Sequence, residues 1–153
     1  MKKRIISMFL VVLMVVSLLP TVAFAETGLT VTKANGDPAA EGTDYYYSGS
    51  ALWIVKSGLA VTGTSSSTCI RIDNNVTNLK LSKVNLTGPY LNDVFEIRNS
   101  DAFELILDGD NTLETNSSNC GILSDEGNLT ISGSGTLSVT AITMVSAPKA
   151  ACT

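Results

Sequence analysis

From Leu52 to Thr140 apolar and polar residues alternate in short runs, and the runs are broken by Gly, Asp, Asn and Ser. Successive side chains of a strand point to opposite faces, so the leucines of Leu79-Lys80-Leu81 enter a core while Lys80 stays outside. The run Leu105-Ile106-Leu107-Asp108-Gly109-Asp110-Asn111-Thr112-Leu113 returns as Leu129-Thr130-Ile131-Ser132-Gly133-Ser134-Gly135-Thr136-Leu137, twenty-four positions later. Both copies read apolar-x-apolar-x-Gly-x-small-Thr-Leu. Self-similarity on this scale marks a solenoid, in which each coil buries its inner side chains only against its neighbours. The chain is therefore expected to be all-β.

Three columns of strands follow from the spacing. The first joins Leu52/Ile54, Leu79/Leu81, Leu105/Leu107 and Leu129/Ile131, at intervals of 27, 26 and 24. The second joins Leu59, Leu86, Leu113 and Leu137, at 27, 27 and 24. A third, less regular, holds Ile70/Ile72, Phe95/Ile97 and Ile122. Three strand columns per turn are the cross-section of a parallel β-helix, here of about four coils.

Residues 1–25 read as a secretory signal peptide: a basic Met1-Lys2-Lys3-Arg4, an apolar stretch from Ile5 to Leu19, and a small-x-small Ala23-Phe24-Ala25 before Glu26. Residues 26–51 are irregular and are expected to cap the N-terminal end of the stack, whose core and strand edges are otherwise open. The coils occupy 52–140. Residues 141–153 lose the alternation and read as an irregular or truncated tail, with Cys152 incidental.

Charge narrows the partners. The formal charge is −4, and removal of Lys2, Lys3 and Arg4 takes ten basic residues to seven against fourteen acidic ones, or −7. That disfavours nucleic acid, whose binding rests on clustered Lys and Arg. Histidine is absent, which excludes Ser-His-Asp and Cys-His hydrolysis and histidine-ligated zinc. Three cysteines with no C-x-x-C pair argue against a disulfide framework. Cys69 and Cys120 fall on coils two apart, roughly 9.6 Å by the strand spacing, and are expected not to be bonded. No later apolar run is long enough to cross a bilayer, so no membrane contact is expected after signal cleavage, and the chain is expected to be a monomer.

The runs Gly58-Leu59-Ala60-Val61-Thr62-Gly63, Ile70-x-Ile72, Val76 to Leu86, Leu105 to Leu113 and Gly127 to Leu137 together resemble the secreted carbohydrate-binding β-helix domains of clostridial Firmicutes. The likeness covers roughly Leu52 to Thr140. It implies a right-handed parallel β-helix, related in architecture to pectate lyases, that binds acidic plant polysaccharide with calcium and lacks catalysis.

Candidate chemistry falls in two groups. Asp101, Glu104, Asp108, Asp110 and Glu114 lie within one coil, and Asp108-Gly109-Asp110-Asn111 places oxygen ligands on a tight corner. Calcium takes six to eight oxygens, so Glu104, Asp108, Asp110 and Asn111 are the metal candidates, although the same residue types serve ordinary turns. Trp53, Arg71 and Lys80 are the candidate sugar contacts. Trp53 lies outside with Lys80, Ile106 and Thr130 if Leu52 and Ile54 fill the core, and inside if the register slips by one; the core is the preferred place. Arg71 and Glu96 hold matching outward positions, where a cross-strand ion pair worth a fraction of a kcal/mol is preferred to a sugar contact.

The functional expectation is a secreted or cell-surface module that binds polysaccharide with calcium and has no catalytic activity. Two alternatives stand beside it. One is a lyase-like fragment with Arg71, Lys80, Lys83 or Arg98 as base, and the other is a structural or adhesive stalk of a longer surface protein.

Overall fold

The computed structural model describes residues 28–98, 102–116, 118–124 and 128–140. The expected signal peptide, the expected tail and Asp101 lie outside the described residues. Those described form strands and turns, with no helix. In chain order the strands are β1 (Leu29–Lys33), β2 (Tyr45–Ser48), β3 (Ala51–Ile54), β4 (Leu59–Ser65), β5 (Cys69–Ile72), β6 (Asn78–Thr87), β7 (Phe95–Ile97), β8 (Phe103–Asp108), β9 (Asp110–Glu114), β10 (Ile122–Ser124), β11 (Leu129–Gly133) and β12 (Thr136–Thr140). The chain is all-β.

The strands make two mixed sheets. The first runs β1-β4-β6-β8-β11, with β9 beside β6 and β12 beside β9. The second runs β10-β7-β5-β3-β2. From β3 onward the chain passes back and forth between the sheets, with β8 and β9, and β11 and β12, consecutive in the first, and every pairing among these strands is parallel. Only β1 and β2 are antiparallel, to β4 and β3. They close one end of each sheet.

The core lies between the sheets. Leu52, Ile54, Ile70, Ile72, Phe95 and Ile97 project from the second, and Leu79, Leu81, Leu86, Leu105 and Leu113 from the first, each no more than 1% exposed. Phe95 and Phe103 bridge the two, with ring centroids 6.4 Å apart. Each fully buried side chain of this kind contributes roughly 1.5–3 kcal/mol. The first sheet bends where Lys83 takes a positive φ of 55° and Gly109 one of 66°. A bulge there puts Val61 opposite Leu81 but Gly63 opposite Val84.

The register departs from the spacing argument at both ends of the chain, and in the second column Leu59 stands beside Leu79 rather than Leu86, whose neighbour on β4 is Ser65. Leu52 and Ile54 stand beside Ile70 and Ile72, not beside Leu79 and Leu81, whose neighbours are Leu59 and Val61. Only 66–68 separate β4 from β5, and an assumed uniform period passes over so short a return. At the other end Leu129 pairs with Phe103, Ile131 with Leu105, Leu137 with Asn111 and Val139 with Leu113. The repeat is thus twenty-six rather than twenty-four positions. The sequence motif aligns Gly133 with Gly109, but Gly133 lies opposite Leu107 at a φ of 98°. It is Gly135 whose added Cβ would strike the Gly109 carbonyl. Two glycines in one corner offered two registers, and the backbone takes the second. The third column, Ile70/Ile72 with Phe95/Ile97 and Ile122, is as expected.

Trp53 faces outward and is half-buried, while its neighbours Leu52 and Ile54 are fully buried, which corrects the preference for the core. The adjacent outward position is Arg71 of β5, not Lys80. Cys69 is a free, buried thiol and Cys120 is disulfide-bonded. The two are not joined to each other, as expected.

Candidate functional site

The outward face of the second sheet carries a row of cross-strand neighbours. Tyr46 pairs with Trp53, Trp53 with Arg71, Arg71 with Glu96 and Glu96 with Leu123. The inward row of isoleucines fixes this parity, since a strand that buries Ile70 and Ile72 must show Arg71 on its other face. The turn at 49–50 sets the Tyr46 register, because a two-residue Gly-Ser loop brings β2 back along β3.

Trp53 is enclosed by this row. Its ring stacks on Tyr46 at 5.9 Å with an angle of 7° between the planes. The guanidinium carbons of Arg71 and Arg98 lie 5.4 and 4.9 Å from its centre. Because β3 runs between β2 and β5, Tyr46 and Arg71 reach Trp53 from opposite sides. Each cation over the ring contributes about 0.5–2 kcal/mol, more as water is excluded.

Glu96 ties the arginines together. Its Oε1 accepts a hydrogen bond from Arg98 Nε at 2.7 Å, and its Oε2 lies 3.0 Å from Arg71 Nε. The latter contact is an ion pair without the alignment of a hydrogen bond. Arg71 Nη2 donates to Asn92 Oδ1 at 3.3 Å. The Glu96 side chain is only 11% exposed, against 40% for Arg98. Among the described residues two guanidiniums pair with one carboxylate here, a local excess of positive charge on a chain of charge −4. The cross-strand pair expected between Arg71 and Glu96 is present. Its setting is not legible in the spacing, which neither brings Arg98 to Trp53 nor distinguishes Tyr46 from Tyr45 and Tyr47. The Gly49-Ser50 loop could have found Tyr46, since it places Tyr46 opposite Trp53.

Lys80 lies on the other sheet, in the outward row Ala60, Lys80, Ile106 and Ser132. Its Nζ is 3.1 Å from Asp108 Oδ2, which also accepts the Ser82 hydroxyl at 3.1 Å. These bonds, the Lys80 bond first, hold the Asp108 carboxyl below the usual carboxylate range. Asp110 Oδ1 accepts the Thr136 hydroxyl at 2.8 Å and Glu104 Oε1 the Ser132 hydroxyl at 2.7 Å. Asn111 is 1% exposed. Its Oδ1 accepts from Val84 N–H at 3.0 Å, and its Nδ2 faces the carbonyls of Gly109 at 3.0 Å and Thr136 at 3.2 Å.

The metal candidates therefore form no common centre. Glu104 and Asp108 are four residues apart on one strand, about 13 Å at the ordinary rise, and the Asn111 amide is turned inward. Among the described residues no group of three or more His, Cys, Asp or Glu side chains is placed to hold a metal ion. Of the sugar-contact candidates, Trp53 and Arg71 come together and Lys80 stands apart with Asp108. No family model, curated protein or solved structure matches this chain.

Proposed function

We propose that the chain is a secreted module, built as a right-handed parallel β-helix, that binds acidic polysaccharide without cleaving it. The architecture rests on the alternation of parallel strands between two sheets. Right-handedness follows from the rule that crossovers between parallel strands of one sheet take that hand in nearly all cases. The binding reading rests on one observation: Arg71 and Arg98 converge on Trp53 with Glu96 as their single shared carboxylate. With the faces of Trp53 already engaged, the row offers a ligand guanidinium edges and the partly exposed Tyr46 ring. A uronate supplies the carboxylate for the first and a ring face for the second.

Affinity electrophoresis through polygalacturonate and through a neutral glucan tests this. Polygalacturonate is expected to retard the protein, the neutral glucan to leave it free, and each of Arg71→Ala and Arg98→Ala to weaken retention about tenfold, the equivalent of one charged hydrogen bond. Absence of retention on polygalacturonate sinks the reading. Calcium is the second variable, since a bridging ion on Asp108 and Asp110 would have to displace Lys80 and Thr136 from those carboxylates. Arginine contacts persist in chelator; retention lost on chelation would assign binding to such a bridge.

A further inference from the structure

The return from β6 to β7 carries Tyr90 and Leu91, which are 73% and 72% exposed and are the most exposed large apolar side chains among the described residues. Exposed apolar residues scattered singly are ordinary on a protein surface. These two are adjacent, and the backbone holds them out. The Asn92 N–H donates to the Pro89 carbonyl at 3.3 Å and closes a turn, in which Leu91 takes a φ of 72°. Glycine or asparagine fits that position with little strain, and leucine does not. Turn formation alone does not select leucine there.

The turn is fixed on both sides. Before it, the Gly88 N–H donates to the Glu114 carbonyl at 2.7 Å, and the Gly88 carbonyl accepts from Asn116 Nδ2 at 3.3 Å. After it, Asp93 Oδ1 accepts the Cys120 N–H at 2.7 Å, and the Val94 N–H donates to the Cys120 carbonyl at 3.1 Å. Asn92 Oδ1 accepts from Arg71 Nη2 at 3.3 Å, and this is the guanidinium that lies over Trp53. Leu91 and Tyr90 therefore stand one and two residues from a direct contact with the Trp53 row. Their backbone is ordered before any ligand arrives, so binding there costs little further ordering.

We propose that Tyr90 and Leu91 form a second subsite of the Trp53 row, so that the site takes an oligomer of acidic sugars rather than a single residue. Arg71 and Arg98 hold the carboxylate of one uronate, and the Tyr90 ring covers the face of a neighbouring sugar along the same glycan, with Leu91 beside it. Tyrosine suits this place. Its ring offers a broad apolar face with only two side-chain angles to order, and its hydroxyl both donates to and accepts from sugar hydroxyls. The choice of ligand rests on the polysaccharide reading given above; the subsite rests on the exposed pair and the bond from Asn92 to Arg71.

Titration of the ¹⁵N-labelled full chain with galacturonate, trigalacturonate and maltotriose tests the proposal by NMR. The Trp53 indole N–H reports on the row, and the backbone amides of Tyr90 and Leu91 report on the turn. Trigalacturonate is expected to shift both and to bind more tightly than galacturonate. Tyr90→Ala is expected to weaken trigalacturonate about three- to tenfold and to leave galacturonate unchanged, whereas Tyr90→Phe keeps the ring and most of the affinity. Leu91→Gly, at a φ that glycine adopts freely, is expected to keep the fold and to weaken trigalacturonate about threefold. The proposal is overturned if the turn amides stay still while the indole shifts, or if Tyr90→Ala leaves trigalacturonate unchanged or weakens both acidic ligands alike. Each of these outcomes leaves the polysaccharide reading standing. It is also overturned if maltotriose shifts the turn as trigalacturonate does, because the turn then binds sugar without the arginines. Silence at both reporters defeats both readings.

Discussion

At the scale of single residues, Asn111 shows how turn chemistry, ligand chemistry and packing use the same side chain. Its amide joins three neighbouring strands, through Val84 of β6, Gly109 beside its own β9 and Thr136 of β12. Asn111→Asp keeps an acceptor for the Val84 N–H and sets a second anionic oxygen against two carbonyls. A loss of about 2–4 kcal/mol in urea denaturation is expected, from the missing donors and the buried charge, and calcium is not expected to restore it. A cation ligand would behave in the opposite way, because an added carboxylate strengthens a calcium site. The inward place of Asn111 was legible, since it shares parity with the buried Leu113 along one strand. It was obscured by the Asp108-Gly109-Asp110-Asn111 run, whose composition suits a turn and a cation equally. Trp53 is the converse: parity allowed either face, and only the neighbours Tyr46, Arg71 and Arg98 explain why a tryptophan is stable outside.

At the scale of strands, burial falls along a column even where the pairing continues. Leu105 of β8 and Ile131 of β11 are direct partners, yet the first is 0% and the second 50% exposed. Leu105→Ala is expected to cost about 2–5 kcal/mol, as transfer and cavity terms add. Ile131→Ala is expected to cost less than about 1 kcal/mol. Chemical denaturation of the two variants checks this, and equal losses would mean that Ile131 is covered in solution. The strands themselves were readable from alternation, and the third column with its Arg71 and Glu96 pair was readable from spacing. The pairings of the first and last strands were not. Their alignment depends on the short return at 66–68 and on which glycine of Gly133-Ser134-Gly135 meets Gly109, and neither changes the local pattern.

At the scale of the whole molecule, antiparallel β1 and β2 cover one end of the two sheets, and among the described strands nothing pairs with the outer edges of β10, β11 and β12. Stability is then expected to be graded along the stack. Amide hydrogen exchange should be slowest in β5, β6, β7 and β8, whose strands have neighbours on both sides and contribute fully buried side chains, and fastest in β11 and β12. Uniform protection across all of them would show that the chain opens as one unit. The amino-acid sequence by itself determined that the chain is all-β, which side chains face a core within most strands, and that its overall charge is negative. These are local or additive properties: alternation has a period of two residues, and charge is a count. Only the tertiary structure decided which strands adjoin and that Trp53 meets two arginines and a tyrosine on the outside. Those outcomes depend on register between strands about twenty residues apart, and register is chosen by loop length and backbone fit once the strands pair.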